Sequence, residues 1–229
     1  DYALVFCRFG KASGAKGIGA FVVDLKKPGA RIGHISLKMG GRGLTEAEII
    51  LENYKAGPED VLVEGDPESS RSFALLMSSF GPERVGNAAM CVGLAQGAFD
   101  AAKSYSEIRH QFGRPIKEFQ GLQWKIADMA TQIHAARLMV YRAATNPAPN
   151  GFPDPMDATM AKLYANEMAQ RVTNEALQIH GHNGYTREYP LERMVRDARG
   201  FALGGGTVEI LRNTIAAMVY GHSFDQRRG

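Results

Sequence analysis

Cysteine is scarce in this 229-residue chain: Cys7 and Cys91 stand far apart, with no CxxC spacing and no histidine companion. That argues against a zinc site and against a disulfide framework, so a reducing cytoplasmic setting is expected, or the mitochondrial matrix in a eukaryote. No apolar run reaches the roughly 20 residues of a membrane span, and no leader-like pattern opens the chain. Charge of one sign is lacking too: 27 Lys and Arg against 24 Asp and Glu leave +3, with the basic residues scattered. A nucleic-acid partner and a metal site are therefore not expected. Internal repeats and low-complexity tracts are absent. There is no initiating Met; the chain opens directly on the apolar run DYALVFCRF, so residue 1 is expected to lie inside a longer polypeptide.

What is present is enough for a sizeable core, with 45% hydrophobic residues over a length that suits one large domain or two small ones. From Tyr2 to Val63, the runs ALVFCRF, IGAFVVDL, ARIGHISL and AEIILENY are separated by Gly, Pro and Lys clusters, which reads as short strands joined by turns. Past Gly65 and Pro67 the period changes to that of helices, over residues 70–80 and then 85–112. A long amphipathic pattern over 115–144 places Phe119, Leu122, Ile126, Met129, Ile133, Leu138 and Tyr141 on a core stripe. NPAPNGFPDP at 146–155 breaks it. A further helix is expected over 157–180, with Met160, Leu163, Tyr164, Met168, Val172 and Leu177 inward, and a last one over 207–220. The fold class expected is α+β, mainly α, with an antiparallel helical bundle following the β part.

Two places have chemical interest on their own terms. Gly204, Gly205 and Gly206 put bare backbone just before a helix start, which is either an ordinary turn or a place for an anion or cofactor. Gly81 and Pro82 interrupt a helical run, leaving Glu83 at a kink or at a new helix N-terminus. A solvated Glu favoured by the helix dipole is the plain reading of that residue.

SEIRHQFGRPIKEFQGLQWKIADMATQIHAARLMVYRAA at 106–144 and ALQIHGHNGYTREYPLERMVRDAR at 176–199 resemble the signature segments of the acyl-CoA dehydrogenase family of flavoproteins. The β part, including KMGGRGLTEAEIILEN at 38–53, resembles the later strands of that family's middle domain, and the remainder its C-terminal four-helix domain. The resemblance implies an incomplete β middle domain at 1–64 and a helical FAD-binding domain at 65–229. The family's N-terminal helical domain and earlier middle strands would then precede residue 1. It also implies FAD as cofactor, an acyl-CoA substrate, electron-transfer flavoprotein or a similar acceptor as partner, and a homotetramer with FAD spanning a subunit interface. The implied reaction is α,β-dehydrogenation, in which a carboxylate removes the α-proton while the flavin accepts the β-hydride. Position by position, Arg109, Gln111, Phe112 and Gln120 match FAD contacts, as do Gln178, Ile179, His180, Gly181 and His182, and then Thr207 and Glu209. A planar guanidinium such as that of Arg109 suits phosphate oxygens, although a structural Arg at a helix end is the plain alternative.

The sequence departs from the family at the glycines. Many members read Tyr-Glu-Gly-Thr where this chain reads Gly204-Gly205-Gly206-Thr207, and that Glu is their base. In a minority similar to isovaleryl-CoA dehydrogenase, a Gly stands there and the base comes from an earlier Glu-Arg pair, matched here by Glu83 and Arg84. The resemblance thus implies Glu83 as base and Arg84 as its organiser, with Gly205 and Gly206 lining a substrate space suited to a branched or bulky acyl group. Two other readings stay open: a catalytically silent FAD- or partner-binding subunit, and an acyl-CoA eliminating enzyme of the desulfinase kind, with an Arg gripping the leaving group.

Overall fold

Strand β1 (Tyr2–Arg8) follows from the alternation in YALVFCR, along which every second residue is half-buried and the others face outward. It pairs antiparallel with β2 (Ile18–Asp24), from Tyr2 opposite Asp24 to Arg8 opposite Ile18. β3 (Ala30–Ile35) and β4 (Ala47–Leu51) form a separate antiparallel pair. β5 (Val61–Val63) joins the free edge of β2, completing a three-stranded sheet in the order β1-β2-β5. Only three residues long, β5 is too short to leave a periodic trace in the sequence. As the central strand, β2 buries most, with Ala20 and Val23 inside and Phe21 stacked on Phe9 at 5.0 Å between centroids.

A computed structural model describes residues 1–224, and they divide into two compact units. The first comprises residues 1–38 and 42–80, beyond the expected boundary at residue 64. Helix α1 (Arg71–Ser78) carries the boundary forward because it packs on β2. The Ser72 hydroxyl donates to the Glu64 carbonyl at 2.7 Å, and Phe80 sets its ring edge-on against Phe6 at 6.3 Å.

The second unit comprises residues 39–41 and the chain from Gly81 onward; residues 225–229 of the expected 65–229 domain lie outside the described residues. Its long helices are α2 (Phe80–Ile108), α3 (Gln120–Thr145) and α4 (Pro155–His180). A short α5 (His182–Tyr185) precedes α6 (Leu191–Phe201) and α7 (Val208–Tyr220). Pro82 sits in the first turn of α2, where its missing N–H costs no helical hydrogen bond. The sequence break is therefore a new N-terminus, separated from α1 by Ser79 alone. Asp154 starts α4 by accepting hydrogen bonds from Met156 N and Asp157 N, both at 3.0 Å, with Pro155 in the first turn.

Cross-helix contacts fix the directions. Arg84 meets Thr159 near the starts of α2 and α4, and Tyr105 meets His180 near their ends, so these two run together. Helix α3 runs against α4, since Arg142 pairs with Asp157 at one end and Lys125 with Glu175 towards the other. Helix α6 returns antiparallel to α4, from Tyr189 beside His180 to Gly204 over Lys162. Helices α2, α3, α4 and α6 thus alternate in direction, and their buried faces share one core.

The inward face of α3 is Met129, Ile133, Ala136, Val140 and Ala143, a 4-3-4-3 spacing. Leu138 and Tyr141, expected inside, are 54% and 59% exposed. Ala136 and Ala143, both fully buried, stand on the inward face instead. Helix α4 is buried on most sides, as a central bundle helix must be, and its interior includes Thr159, Lys162, Asn166, Thr173 and His180.

Candidate functional site

One cluster lies where α2 and α4 begin and α6 gives way to α7. Glu83, in the first turn of α2, directs its carboxylate at the glycine loop. A Cβ added to Gly205 would lie 2.5 Å from Glu83 Oε1 and 2.8 Å from Oε2, well inside contact distance. Gly205 also has φ of 66° and Gly206 of 98°, backbone that L side chains resist. The space of a side chain at 205 is thus the space that the Glu83 carboxylate occupies. At Gly204 the nearest atom to an added Cβ is Gly200 O at 3.7 Å, so room remains there.

Beneath the loop lies Lys162, fully buried, its Nζ donating to Gly204 O at 2.6 Å and Gly206 O at 2.8 Å. Burial lowers the pKa of Lys162, while the negative charge of Glu83 opposes that fall. The Arg84 guanidinium donates from Nη1 to Thr159 Oγ1 at 3.1 Å, and its buried Nε has no partner among the described residues. Burial lowers the Arg84 pKa as well, again opposed by Glu83. No ion pair or hydrogen bond joins Arg84 to Glu83 among the described residues, so what links the two is charge alone. Further in, Asn166 Nδ2 reaches Asn87 Oδ1 at 2.8 Å and Cys91 Sγ at 3.0 Å. Burial pushes the Cys91 thiol up to about 12, which leaves it protonated and unreactive.

Thr207 caps α7, its Oγ1 accepting from Ile210 N at 3.4 Å. Glu209, exposed in the first turn, has its carboxyl held below the ordinary range by its own backbone N–H and the Thr207 hydroxyl.

A second cluster sits at the other end of α2 and α4. There β6 (His110–Gln111) and β7 (Arg114–Pro115) make a tight hairpin whose two turn residues, Phe112 and Gly113, have φ of 53° and 80°. Beside it opens a cleft of about 300 Å³ whose wall includes Tyr105, Arg109, Gln111, Ile179, His180, Gly181 and His182. His180 is held by Nδ1 against Ala176 O at 2.8 Å and stacks on Tyr105 at 4.3 Å between centroids. Burial lowers its pKa, which favours a neutral ring with the proton on Nδ1. The Arg109 side chain makes no hydrogen bond or ion pair with another described residue.

The cleft therefore gathers six expected cofactor residues: Arg109, Gln111, Ile179, His180, Gly181 and His182. Phe112 stands at the hairpin tip, 91% exposed, and Gln120 and Gln178 face outward from α3 and α4. Thr207 and Glu209 belong to the first cluster. From Lys162 to His180 along α4 the rise is roughly 27 Å at 1.5 Å per residue, so one copy of the chain does not bring all these residues together. A free guanidinium, an amide and imidazoles around an aromatic-walled cleft have the chemistry of a phosphate-bearing nucleotide site, and the residues present fit that half of FAD. Lys162 and Asn166 were missed from sequence, where a Lys in a helical run reads as solvated.

A mainly helical α+β chain with a carboxylate over a glycine loop at one end of its bundle, and an anion-suited cleft at the other, defines a narrow class. The family model for the C-terminal domain of acyl-CoA dehydrogenases matches residues 72–220, and the chain belongs to the acyl-CoA dehydrogenase family. Among curated relatives, 3-sulfinopropanoyl-CoA desulfinase of Paraburkholderia xenovorans is 47% identical over 98% of this chain and 57% of its own length. Butyryl-CoA dehydrogenase from Megasphaera elsdenii superposes with a TM-score of 0.89 at 36% identity, over 96% of this chain and 56% of that one. A structure described for the electron transferring flavoprotein of Acidaminococcus fermentans superposes at 0.88 with 40% identity, over 96% and 56%. The chain thus spans little more than half the length of the relatives it matches.

Proposed function

We propose that this chain is the C-terminal part of an FAD-dependent enzyme that dehydrogenates an acyl-CoA thioester between its α and β carbons, with Glu83 as the base. The observation that carries the reading is the Glu83 carboxylate lying where a side chain at Gly205 would otherwise be. FAD, when bound, supplies the acceptor for the β-hydride. Glu83 Oε1 or Oε2 takes the α-proton, and Lys162 and Arg84 supply positive charge behind it. Thr207 and Glu209 hold the cofactor from the side of this first cluster. Arg109, Gln111 and the segment 178–182 hold its phosphate-bearing half, with Phe112 and Gln120 flanking. Because these sets are separated along α4, the cofactor is shared between two copies, in keeping with a homotetramer. An electron-transferring flavoprotein is the proposed acceptor, and a bacterial cytoplasm the proposed setting.

The acyl group is branched or bulky. Support for that narrows to Gly204, because Glu83 fills the space at Gly205. Glu83→Gln in the full-length, flavin-loaded protein is expected to slow bleaching of the flavin by acyl-CoA about 100-fold or more. A clear preference for butyryl-CoA over branched acyl-CoAs would end the substrate reading.

Two observations favour a second reading. Arg84 Nε is buried without a hydrogen-bond partner among the described residues, and a relative 47% identical is a 3-sulfinopropanoyl-CoA desulfinase. In that reading Arg84 grips an anionic leaving group and Glu83 is dispensable, so turnover that survives Glu83→Gln selects it. A colourless protein with no response to acyl-CoA would select a silent subunit instead.

A further inference from the structure

Burying a lysine completely costs more than burying an unbranched apolar side chain such as methionine, unless its ammonium is compensated where the stem ends. Lys162 is so buried, and its stem ends between two carbonyls, those of Gly204 and Gly206, at 2.6 and 2.8 Å. These are the carbonyls on either side of Gly205. Between them, Gly205 faces the Glu83 carboxylate, and Gly205 and Gly206 both hold a positive φ. The groups coupled to Lys162 from α2 are Glu83, Arg84 and Cys91, and only Glu83 is an anion. The loop itself carries no titratable side chain.

We propose that Lys162 is a positioning residue of this site, clamping the glycine loop in the conformation that leaves Glu83 its place over Gly205. The proposal rests on Glu83 being the base. Lys162 touches no reacting atom; it acts through the loop and through the charge it places behind the carboxylate. Apolar contact alone does not account for it, because a Met there would fill the space of the stem and leave the two carbonyls without a donor.

The test uses the full-length, FAD-loaded protein with Lys162→Met and Lys162→Gln. Two quantities are measured: the single-turnover rate of flavin bleaching by acyl-CoA, and the affinity for a non-oxidisable thia-acyl-CoA. Loss of hydrogen bonds to a charged donor predicts a bleaching rate lower by about 10- to 100-fold in Lys162→Met, with analogue affinity changed less than about 3-fold. Lys162→Gln, which can still donate to a carbonyl, is expected to recover part of the rate. Wild-type bleaching in both variants would overturn the proposal. So would equal losses of rate and affinity, or failure of both variants to yield flavin-loaded protein, since either makes Lys162 a purely structural residue. Glu83→Gln run alongside separates the two claims: unimpaired bleaching there removes the base, whatever Lys162 does.

Discussion

Glu83 and any side chain placed at 205 compete for one volume, and that competition is the chemical content of the glycine loop. Relief of the clash would require the carboxylate to leave or the backbone to abandon φ of 66°. Gly205→Ala is therefore expected to destabilise by about 1–3 kcal/mol and to slow flavin bleaching, with thermal melting and single-turnover kinetics as the measurements. Its pairing with Glu83 was legible only because the family resemblance linked two distant positions; the helical period by itself left Glu83 as a carboxylate beside a proline. Lys162 was not legible, because its burial depends on two carbonyls from a loop more than forty residues away.

Helix α4 explains why part of the bundle was hard to read. Thr159, Lys162, Asn166, Ala169, Thr173, Ala176 and His180 follow a 3-4-3-4 spacing, which is a core stripe, yet it is written mostly in polar and small residues. A search for large apolar side chains passes over it and selects Met160 and Leu163 on the flank. The strands β1 to β4, by contrast, came from short apolar runs between turn residues, and α4 and α7 from their period; α3 begins at Gln120 and α2 ends at Ile108, inside the expected 115 and 112, because the β6–β7 hairpin and a short turn occupy the residues between them. The break between α1 and α2 was marked by Pro82, but only the fold decides between a kink and a fresh start. The polar stripe also sets a pH dependence. His180 binds its proton less readily folded than unfolded, so the unfolded chain takes up a proton first as pH falls below about 6.5. Stability from this residue is present above that value and is lost toward lower pH. The melting temperature is expected to fall between pH 7.5 and 5.5, and to fall less in His180→Gln.

At the scale of the molecule, the two clusters occupy opposite ends of one bundle, and a separation of roughly 27 Å along α4 places them beyond a single reacting centre. The role proposed for the cleft around Arg109 and His180 is then a separate one, that of holding a nucleotide. Arg109→Gln in the full-length protein is expected to weaken FAD binding by about 10- to 100-fold while leaving the fold intact, read as flavin retained after dialysis. Unchanged retention would remove the cleft from the cofactor site. Sharing of a cofactor between copies, as proposed, would also tie flavin retention to oligomeric state.

The central claim is that Glu83 removes the α-proton, and isotope exchange reads that step apart from any redox event. The full-length, flavin-loaded protein is mixed in deuterium oxide with a non-oxidisable 3-thia-acyl-CoA, and loss of the α-proton signal is followed by NMR. The wild-type protein is predicted to exchange the α-protons, and Glu83→Gln to exchange them about 100-fold more slowly or not at all. Exchange at the wild-type rate in Glu83→Gln would contradict the account.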